Sequence, residues 1–247
     1  MGVLANRTAF VTGGSGGLGA AICAALAQAG ARVGVGYVTA PKAHAFVAQL
    51  PGSGHRAIHA PVNDTSALNQ AAEEVRESFG GLDLLVNCAG ITRFVPHDDL
   101  DALDDALIDE ILTVNVRGVI ATTRAFVPLL RKGTDSLIVN ISSIAGTTAM
   151  GSNIAYCASK AAVDNLTKSL GRALAPKIRV VSIAPGLVDT DFVKSLDQDW
   201  RDDQARRTPL QRLADPQEIA QAVIASAVAL TFMTGVVIPV DGGRPLG

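Results

Sequence analysis

The chain has 247 residues, 48% of them hydrophobic, and a formal net charge of −2 at pH 7. This length fits one large α/β domain or two small ones, and a near-neutral charge without a basic block argues against nucleic acid as the main partner. Three widely spaced cysteines form neither a metal-ligand pattern nor a disulfide framework, and no stretch is apolar enough for a membrane span or a signal peptide. These features predict a cytoplasmic protein with reduced thiols, no metal and no membrane partner.

A glycine-rich loop follows the first predicted strand, 8–12. Gly13, Gly17 and Gly19 are spaced G-x-x-x-G-x-G and lead into an alanine-rich helix that ends near Ala29. Glycines between a strand and a helix let the backbone approach a pyrophosphate, and the helix N-terminus offers free N–H groups to the anion. The alternative is a tight turn without a ligand.

The second predicted strand, 32–37, ends where dinucleotide folds meet the adenosine ribose. An acidic residue there binds the 2′-hydroxyl of NAD, and basic residues nearby accommodate the 2′-phosphate of NADP. The tip reads Gly36-Tyr37-Val38-Thr39, with no acid and no base before Lys42. The missing acid removes a repulsion against phosphate, which favours NADP(H) and leaves NAD(H) open.

Strands and helices alternate through the middle of the chain. We expect helices at 41–50, 65–79 and 104–130, and strands at 55–59 and 82–86, with Asp64 or Thr65 capping the second of these helices. Small residues at 87–90 would let a cofactor lie close to the backbone. Asn115 lies inside the last helix, where asparagine is locally unfavourable, and such a misfit can mark a functional site.

The chemistry centres on residues 137–160. An aliphatic run ends in Ser142-Ser143, which predicts a buried strand with hydroxyls at its tip. Tyr156 and Lys160 are spaced i, i+4 and share one helix face. A neighbouring ammonium lowers the pKa of a phenol from about 10 and makes it a usable general acid or base. The same spacing also occurs on ordinary helices, so the prediction depends on a cofactor being present.

The last third continues the alternation, with a strand at 178–183, a helix at 215–230 and a strand at 236–240. Residues 189–213 are polar and charged, and we interpret them as a mobile flap over the substrate. The whole pattern predicts one domain, 1–247, built as a doubly wound, Rossmann-type parallel sheet with helices on both faces.

The motifs together resemble the short-chain dehydrogenase/reductase family over essentially the whole chain. In order, they are Thr12-Gly13-x-x-x-Gly17-x-Gly19, Asn87-Cys88-Ala89-Gly90, Asn115, Ser143, Tyr156-x-x-x-Lys160 and Pro185-Gly186. Segments 208–220 and 240–243 look most like the 3-oxoacyl-(acyl-carrier-protein) reductase branch. The resemblance implies an NAD(P)-dependent enzyme that interconverts a carbonyl and a secondary alcohol, with a 3-oxoacyl thioester or related ketone as substrate, and a homotetramer.

The resemblance also implies roles for individual residues. Tyr156 would be the general acid or base, Lys160 would lower its pKa and bind the nicotinamide ribose, Ser143 would orient the substrate oxygen, and Asn115 would support a proton relay. The remaining cofactor contacts would come from Gly13, Ser15, Gly16, Leu18, Tyr37, Val62, Asn87, Ala89, Gly90, Pro185, Gly186, Val188 and Thr190.

Three departures from the family pattern concern the cofactor rather than catalysis. Gly16 stands where NADPH-dependent reductases of this branch often have arginine, Pro61 stands where an aspartate usually contacts adenine, and Cys88 replaces an asparagine. The alternatives are an NAD-dependent dehydrogenase of a sugar alcohol or of a cyclic, steroid-like alcohol, and a non-catalytic nucleotide-binding regulator. A regulator would be expected to lack Tyr156 or Lys160, and both are present.

Overall fold

The structure is a computed structural model that describes residues 2–133 and 135–246, except for the side chain of Phe192. These residues form a seven-stranded sheet in the order β3-β2-β1-β4-β5-β6-β7, and every neighbouring pair is parallel. The strands are β1 (Thr8–Val11), β2 (Arg32–Tyr37), β3 (Arg56–His59), β4 (Leu84–Asn87), β5 (Ser136–Ile141), β6 (Ile178–Pro185) and β7 (Val236–Val240). The predicted parallel α/β sheet is confirmed. Its order reverses between β1 and β4, and the crevice at such a point is where ligands bind in open α/β sheets.

Helices cover both faces of this sheet. They are α1 (Gly17–Gln28), α2 (Ala40–Val47), α3 (Thr65–Phe79), α4 (Asp105–Leu112), α5 (Gly118–Leu130), α6 (Ala145–Thr148), α7 (Ile154–Leu174), α8 (Asp191–Lys194), α9 (Gln198–Arg206) and α10 (Pro216–Val228). Within the described chain, none of them is long and apolar enough to cross a membrane.

Each face of the sheet has its own hydrophobic core. On one face, α1 and α10 pack over the sheet through residues such as Ile22 and Val223. On the other, α3 and α5 bury a second cluster in which the rings of Phe10 and Phe126 stack with centroids 4.5 Å apart. Leu170 and Leu174 of α7 pack against this second cluster, so these two apolar positions contribute to sheet packing.

The structure differs from the predicted elements in the helix at 104–130. A π-helical turn, Thr113–Arg117, separates α4 from α5, and the N–H of Gly118 donates to the carbonyl of Thr113. A π turn inserts one extra residue, which changes the direction of the side chains after it. Asn115 lies inside this turn, so its unfavourable helix position and the irregular backbone coincide.

The second difference lies in the segment predicted as a flap. Residues 189–213 contain the short helices α8 and α9, and the carboxylate of Asp197 caps α9 by accepting from the N–H of Trp200. None of the residues of α9 is buried. A helix without an apolar face leaves no hydrophobic periodicity in the sequence, which is why the pattern did not reveal it.

Candidate active site

The glycine loop lies against the ends of β2 and β4. The hydroxyl of Thr12 accepts hydrogen bonds from the N–H groups of Cys88 (3.0 Å) and Ala89 (3.1 Å). Gly13 has a φ of +64°, and a Cβ on it would lie 3.1 Å from the Cα of Ala89. A Cβ on Gly19 would lie 2.2 Å from the carbonyl oxygen of Gly13, so this position admits no side chain. The loop and the 87–90 segment therefore form one rigid unit.

The same loop leaves open space at the N-terminus of α1. A Cβ on Gly17 would meet nothing within 4 Å, and Gly16 caps the helix without any side-chain hydrogen bond to the first turn. Free backbone N–H groups beside open space suit a phosphate. Ser15, Gly16 and Leu18 are partly exposed along this rim. The residues present therefore fit the pyrophosphate of a dinucleotide.

Two predicted cofactor residues turn their side chains away from the cleft. Asn87 is buried, and its amide donates to Asn140 (2.9 Å) and Thr123 (3.3 Å). Val62 is also buried, in contact with the start of α5, where a Cβ on Gly118 would come within 2.8 Å of its side chain. Only the backbone of these two residues remains for a cofactor. Their side chains serve the core, because Asn87 at the end of β4 and Val62 after β3 both pack against α5.

Asn115 uses its amide to hold the loop after β4. Its Oδ1 accepts from the N–H of Ile91 (2.8 Å), and its Nδ2 donates to the carbonyl of Ile91 (3.0 Å) and to the hydroxyl of Ser159 (3.1 Å). Ser159 in turn donates to the carbonyl of Tyr156. The side chain therefore connects the π turn, the 87–91 segment and α7 at one point.

Ser143, Tyr156 and Lys160 come together at the carboxyl end of β5. The Ser143 hydroxyl accepts from the N–H of Ala145 (3.2 Å) and lies close enough to the Tyr156 phenol to lower its pKa. The ammonium of Lys160 is buried, donates to the carbonyl of Ile141 (2.9 Å) and lies 5.6 Å from the centroid of the Tyr156 ring. It also lies 3.7 Å from the position of a Cβ on Gly90. The predicted i, i+4 arrangement on one face of α7 is thus present.

The titration behaviour of this group follows mainly from burial. Burial lowers the pKa of Lys160 to about 8, partly offset by the nearby Asp164 carboxylate. Burial raises the pKa of Tyr156, against the nearby Ser143 hydroxyl, which lowers it. Desolvation of the phenolate dominates this balance, and the lowering of the Tyr156 pKa by Lys160 stays a prediction. Burial also raises the pKa of Cys88 to about 11, so this thiol stays protonated at neutral pH.

Residues 185–190 form the other wall of the cleft. The N–H of Ile144 donates to the carbonyl of Pro185, which joins the end of β6 to the Ser143 segment. Gly186 packs against the backbone of Asp241, where a Cβ would lie 3.0 Å away. Val188 is buried, whereas Thr190 is partly exposed and accepts from the N–H of Val193 (3.4 Å).

Two interactions that position residues 185–190 and the neighbouring helix α9 were not predicted from the sequence. Arg201 of α9 forms an ion pair with Asp189 (2.7 Å), and Arg244 near the C-terminus donates to the carbonyl of Gln204 (2.7 Å). A cavity of about 780 Å³ lies between α1, α9 and the start of α10; it reaches Gly17 and Thr190 but not Ser143, Tyr156 or Lys160. The missed signal was the alternation of acids and bases in the flap, which looked like a solvated surface.

Asn153 was also missed. It is buried, caps α7 by accepting from the N–H of Tyr156 (2.7 Å), and donates to the carbonyl of Arg93 (2.7 Å). An asparagine three residues before a helical tyrosine is the pattern that could have revealed this cap.

Among residues 2–133 and 135–246, no group of three His, Cys, Asp or Glu side chains could hold a metal ion.

Comparison with known proteins places this geometry in context. Residues 7–201 match the family model described as short chain dehydrogenase. The cis-4-hydroxycyclohexanecarboxylate dehydrogenase of Sinomonas cyclohexanicum is 36% identical over 243 residues, covering 97% of this chain and 96% of the relative. The 3-oxoacyl-(acyl-carrier-protein) reductase of Escherichia coli (strain K12) is 34% identical over 241 residues, covering 96% and 97%. A solved short-chain dehydrogenase/reductase of the glucose/ribitol dehydrogenase type from Brucella melitensis superposes with a TM-score of 0.92 at 32% identity, covering 99% of each chain.

Proposed function

The chain belongs to the short-chain dehydrogenase family of NAD(P)(H)-dependent oxidoreductases, and we propose that it is an NADP(H)-preferring reductase of a 3-oxoacyl thioester or a related ketone. The observation that carries the proposal is the cluster of Ser143, Tyr156 and Lys160 at the end of β5, beside a glycine loop that suits a pyrophosphate. Relatives with the names of 3-oxoacyl-(acyl-carrier-protein) reductases support the substrate class.

In this proposal the bound nicotinamide supplies a hydride to the carbonyl carbon. Tyr156 gives its phenolic proton to the carbonyl oxygen, and Ser143, whose hydroxyl lies beside that phenol, holds the same oxygen in place. A phenol whose pKa is raised by burial is fully protonated at neutral pH, as a proton donor must be. The developing alkoxide is thus met by two hydroxyl donors.

Lys160 has two roles in the proposal. Its ammonium lies near Gly90 and donates to the carbonyl of Ile141, a position from which it can also bind the ribose hydroxyls of a nicotinamide nucleotide. After Tyr156 has released its proton, the positive charge of Lys160 favours the phenolate. Because its own pKa is about 8, Lys160 can also exchange protons near neutrality. Asn115 supports this relay by holding Ile91 and Ser159 on either side of it.

The flap and the assembly belong to the same proposal. We propose that residues 189–213 cover the substrate, with α9 held over the cleft by the Arg201–Asp189 ion pair. We further propose a cytoplasmic homotetramer, in keeping with three free cysteines and with several exposed apolar side chains near the C-terminal strand, among them Phe232 and Met233.

A second candidate is an NAD-dependent dehydrogenase of a cyclic alcohol or a sugar alcohol. The relative named as a cis-4-hydroxycyclohexanecarboxylate dehydrogenase, at 36% identity, favours it. The two candidates share the same catalytic residues and differ in cofactor, direction and substrate. A non-catalytic regulator is disfavoured, because it has no need of a buried lysine and a tyrosine together at the same strand end.

A paired substrate and cofactor panel separates these candidates. A short 3-oxoacyl thioester with NADPH, a hydroxycyclohexane carboxylate with NAD and a four-carbon polyol with NAD are assayed with the native enzyme. The proposal expects the highest kcat/KM for the thioester with NADPH. A higher kcat/KM for either alcohol with NAD would favour the second candidate, and no turnover despite dinucleotide binding would favour the regulator.

A further inference from the structure

Lys42 places a positive charge at the corner of the cofactor cleft beside Gly16, where the glycine loop has no side chain of its own. It lies in the first turn of α2, yet its ammonium reaches back across the β2–α2 connection to the glycine loop. The Lys42 Nζ lies 3.7 Å from the position that a Cβ on Gly16 would occupy. The space beside Gly16 is therefore filled by a side chain from a different element.

Resting on the proposed function, we infer that Lys42 supplies the charge that binds the 2′-phosphate of NADP(H), in place of a side chain at residue 16. The tip of β2 lies directly beside this charge, because the N–H of Gly14 donates to the carbonyl of Gly36 (2.8 Å). The ribose of a dinucleotide held on the loop would thus have its 2′-position between the β2 tip and Lys42.

The surroundings of Lys42 leave its charge available. No carboxylate of residues 2–133 or 135–246 forms an ion pair with it, and residues 36–39 contain no acid. Thr39, the N-cap of α2, makes no side-chain hydrogen bond to the first turn, so the N–H groups of Ala40 and Lys42 are not capped by it, and Pro41 between them has no N–H. A cation beside free N–H groups attracts a phosphate and offers nothing specific to a 2′-hydroxyl.

Tyr37 completes the corner. Its ring makes edge contacts with His44 and His59, with centroids 5.6 Å apart in both pairs. These contacts hold Tyr37 partly exposed at the tip of β2, next to α2. The aromatic group therefore supports the geometry of the corner, while Lys42 provides its charge.

The structure also supplies a rescue variant. Gly16 has an extended backbone, with φ −155° and ψ 160°, which any residue can adopt. A Cβ there would meet only the Lys42 ammonium, at an ordinary contact distance of 3.7 Å. Gly16→Arg is thus compatible with the fold, and in a chain without Lys42 it would return a cation to the same space.

The test measures binding alone, by fluorescence titration with NADPH and NADH and by calorimetry with adenosine 2′,5′-bisphosphate and AMP. We expect Lys42→Gln to weaken NADPH and the bisphosphate by roughly 10-fold, and to change NADH and AMP less than about twofold. Added salt should reduce the native preference for the 2′-phosphate, because an exposed ion pair is screened. The double variant Lys42→Gln, Gly16→Arg should regain NADPH affinity.

Lys177→Gln is the matched control, because it removes the same charge just before β6, at the end of the parallel strands opposite the cofactor cleft. It should leave all four affinities unchanged. An unchanged NADPH-to-NADH ratio in Lys42→Gln, equal weakening of both dinucleotides, or failure of the rescue would each overturn the inference. Failure of the native chain to bind either dinucleotide would instead contradict the proposed function itself.

Discussion

Asn153 offers the sharpest prediction, because one buried side chain supports both the helix that carries Tyr156 and Lys160 and the loop that faces it. Only 1% of its surface is exposed. Its carbonyl accepts from the N–H of Tyr156 at 2.7 Å, and its amide donates to the carbonyl of Arg93 at 2.7 Å and to the hydroxyl of Thr92 at 3.3 Å. Asn153→Ala removes all three bonds at once.

The magnitude follows from these contacts. Loss of an N-cap costs about 1 kcal/mol, and loss of the part-buried bond to the Arg93 carbonyl costs about 1 kcal/mol more; the long bond to Thr92 adds little. We therefore expect the free energy of unfolding to fall by about 2 kcal/mol and the Tm by about 4–8 °C. Turnover should fall as well, because Tyr156 is the third residue of the uncapped turn.

The assay is urea denaturation followed by circular dichroism, with thermal unfolding as a second measure. Asn153→Ser keeps a cap acceptor and should recover about half of the loss. Asn165→Ala, on an exposed part of the same helix, is the control and should stay within about 0.5 kcal/mol of the native chain. A loss below about 0.5 kcal/mol in Asn153→Ala, or no recovery in Asn153→Ser, would refute the reasoning.

Three further predictions follow from charge and space. Lys160 has a folded pKa of about 8, so the folded state binds fewer protons than the unfolded state between about pH 8 and 10.5. Burying the charged ammonium lowers the free energy of unfolding fully below pH 8, and this penalty fades as the pH rises above 8. Lys160→Met should therefore be more stable than the native chain at pH 7 but not near pH 10.5. A difference in the free energy of unfolding, measured by urea titration, that stays constant with pH would contradict this. Arg201→Gln should raise KM and expose residues 191–206 to limited proteolysis, while lowering the free energy of unfolding by about 1 kcal/mol or less. Asp189→Asn should give the same result, and the double variant should show no larger effect than either single variant. Gly19→Ala should abolish dinucleotide binding, because its Cβ would lie 2.2 Å from a carbonyl oxygen. Gly16→Ala, which has space for a Cβ, should fold normally and still bind the dinucleotide. Equal behaviour of the two variants in NADPH titrations would refute the steric argument.

Local patterns predicted the framework of this fold well. The alternation of apolar strands and amphipathic helices gave the parallel sheet, and Asp64 gave the start of α3, which it caps through Ser66 and Ala67. Both signals depend on residues close together in sequence. The i, i+4 spacing of Tyr156 and Lys160 belongs to the same class, because it lies within one helix.

Features that depend on contacts between distant segments were not predictable in this way. The Asn115 amide bonds the backbone of Ile91 from inside the π turn, and the pKa of Tyr156 depends on how deeply its phenol is buried. The position of Lys42 beside Gly16 requires the path of the chain between β2 and α2. Each of these is a property of packing, which the sequence pattern alone does not contain.

The central claim is that Tyr156 gives the proton in an NADPH-dependent reduction. Equilibrium titration first measures NADPH binding by the native and Tyr156→Phe chains. A single-turnover stopped-flow experiment then compares how fast the two chains oxidise NADPH, with enzyme in excess of NADPH and a 3-oxoacyl thioester as substrate. The account predicts equal NADPH binding and a loss of the oxidation rate of at least about 100-fold in the variant, since general acid catalysis contributes about that much or more. Near-native oxidation of NADPH by Tyr156→Phe would contradict the account.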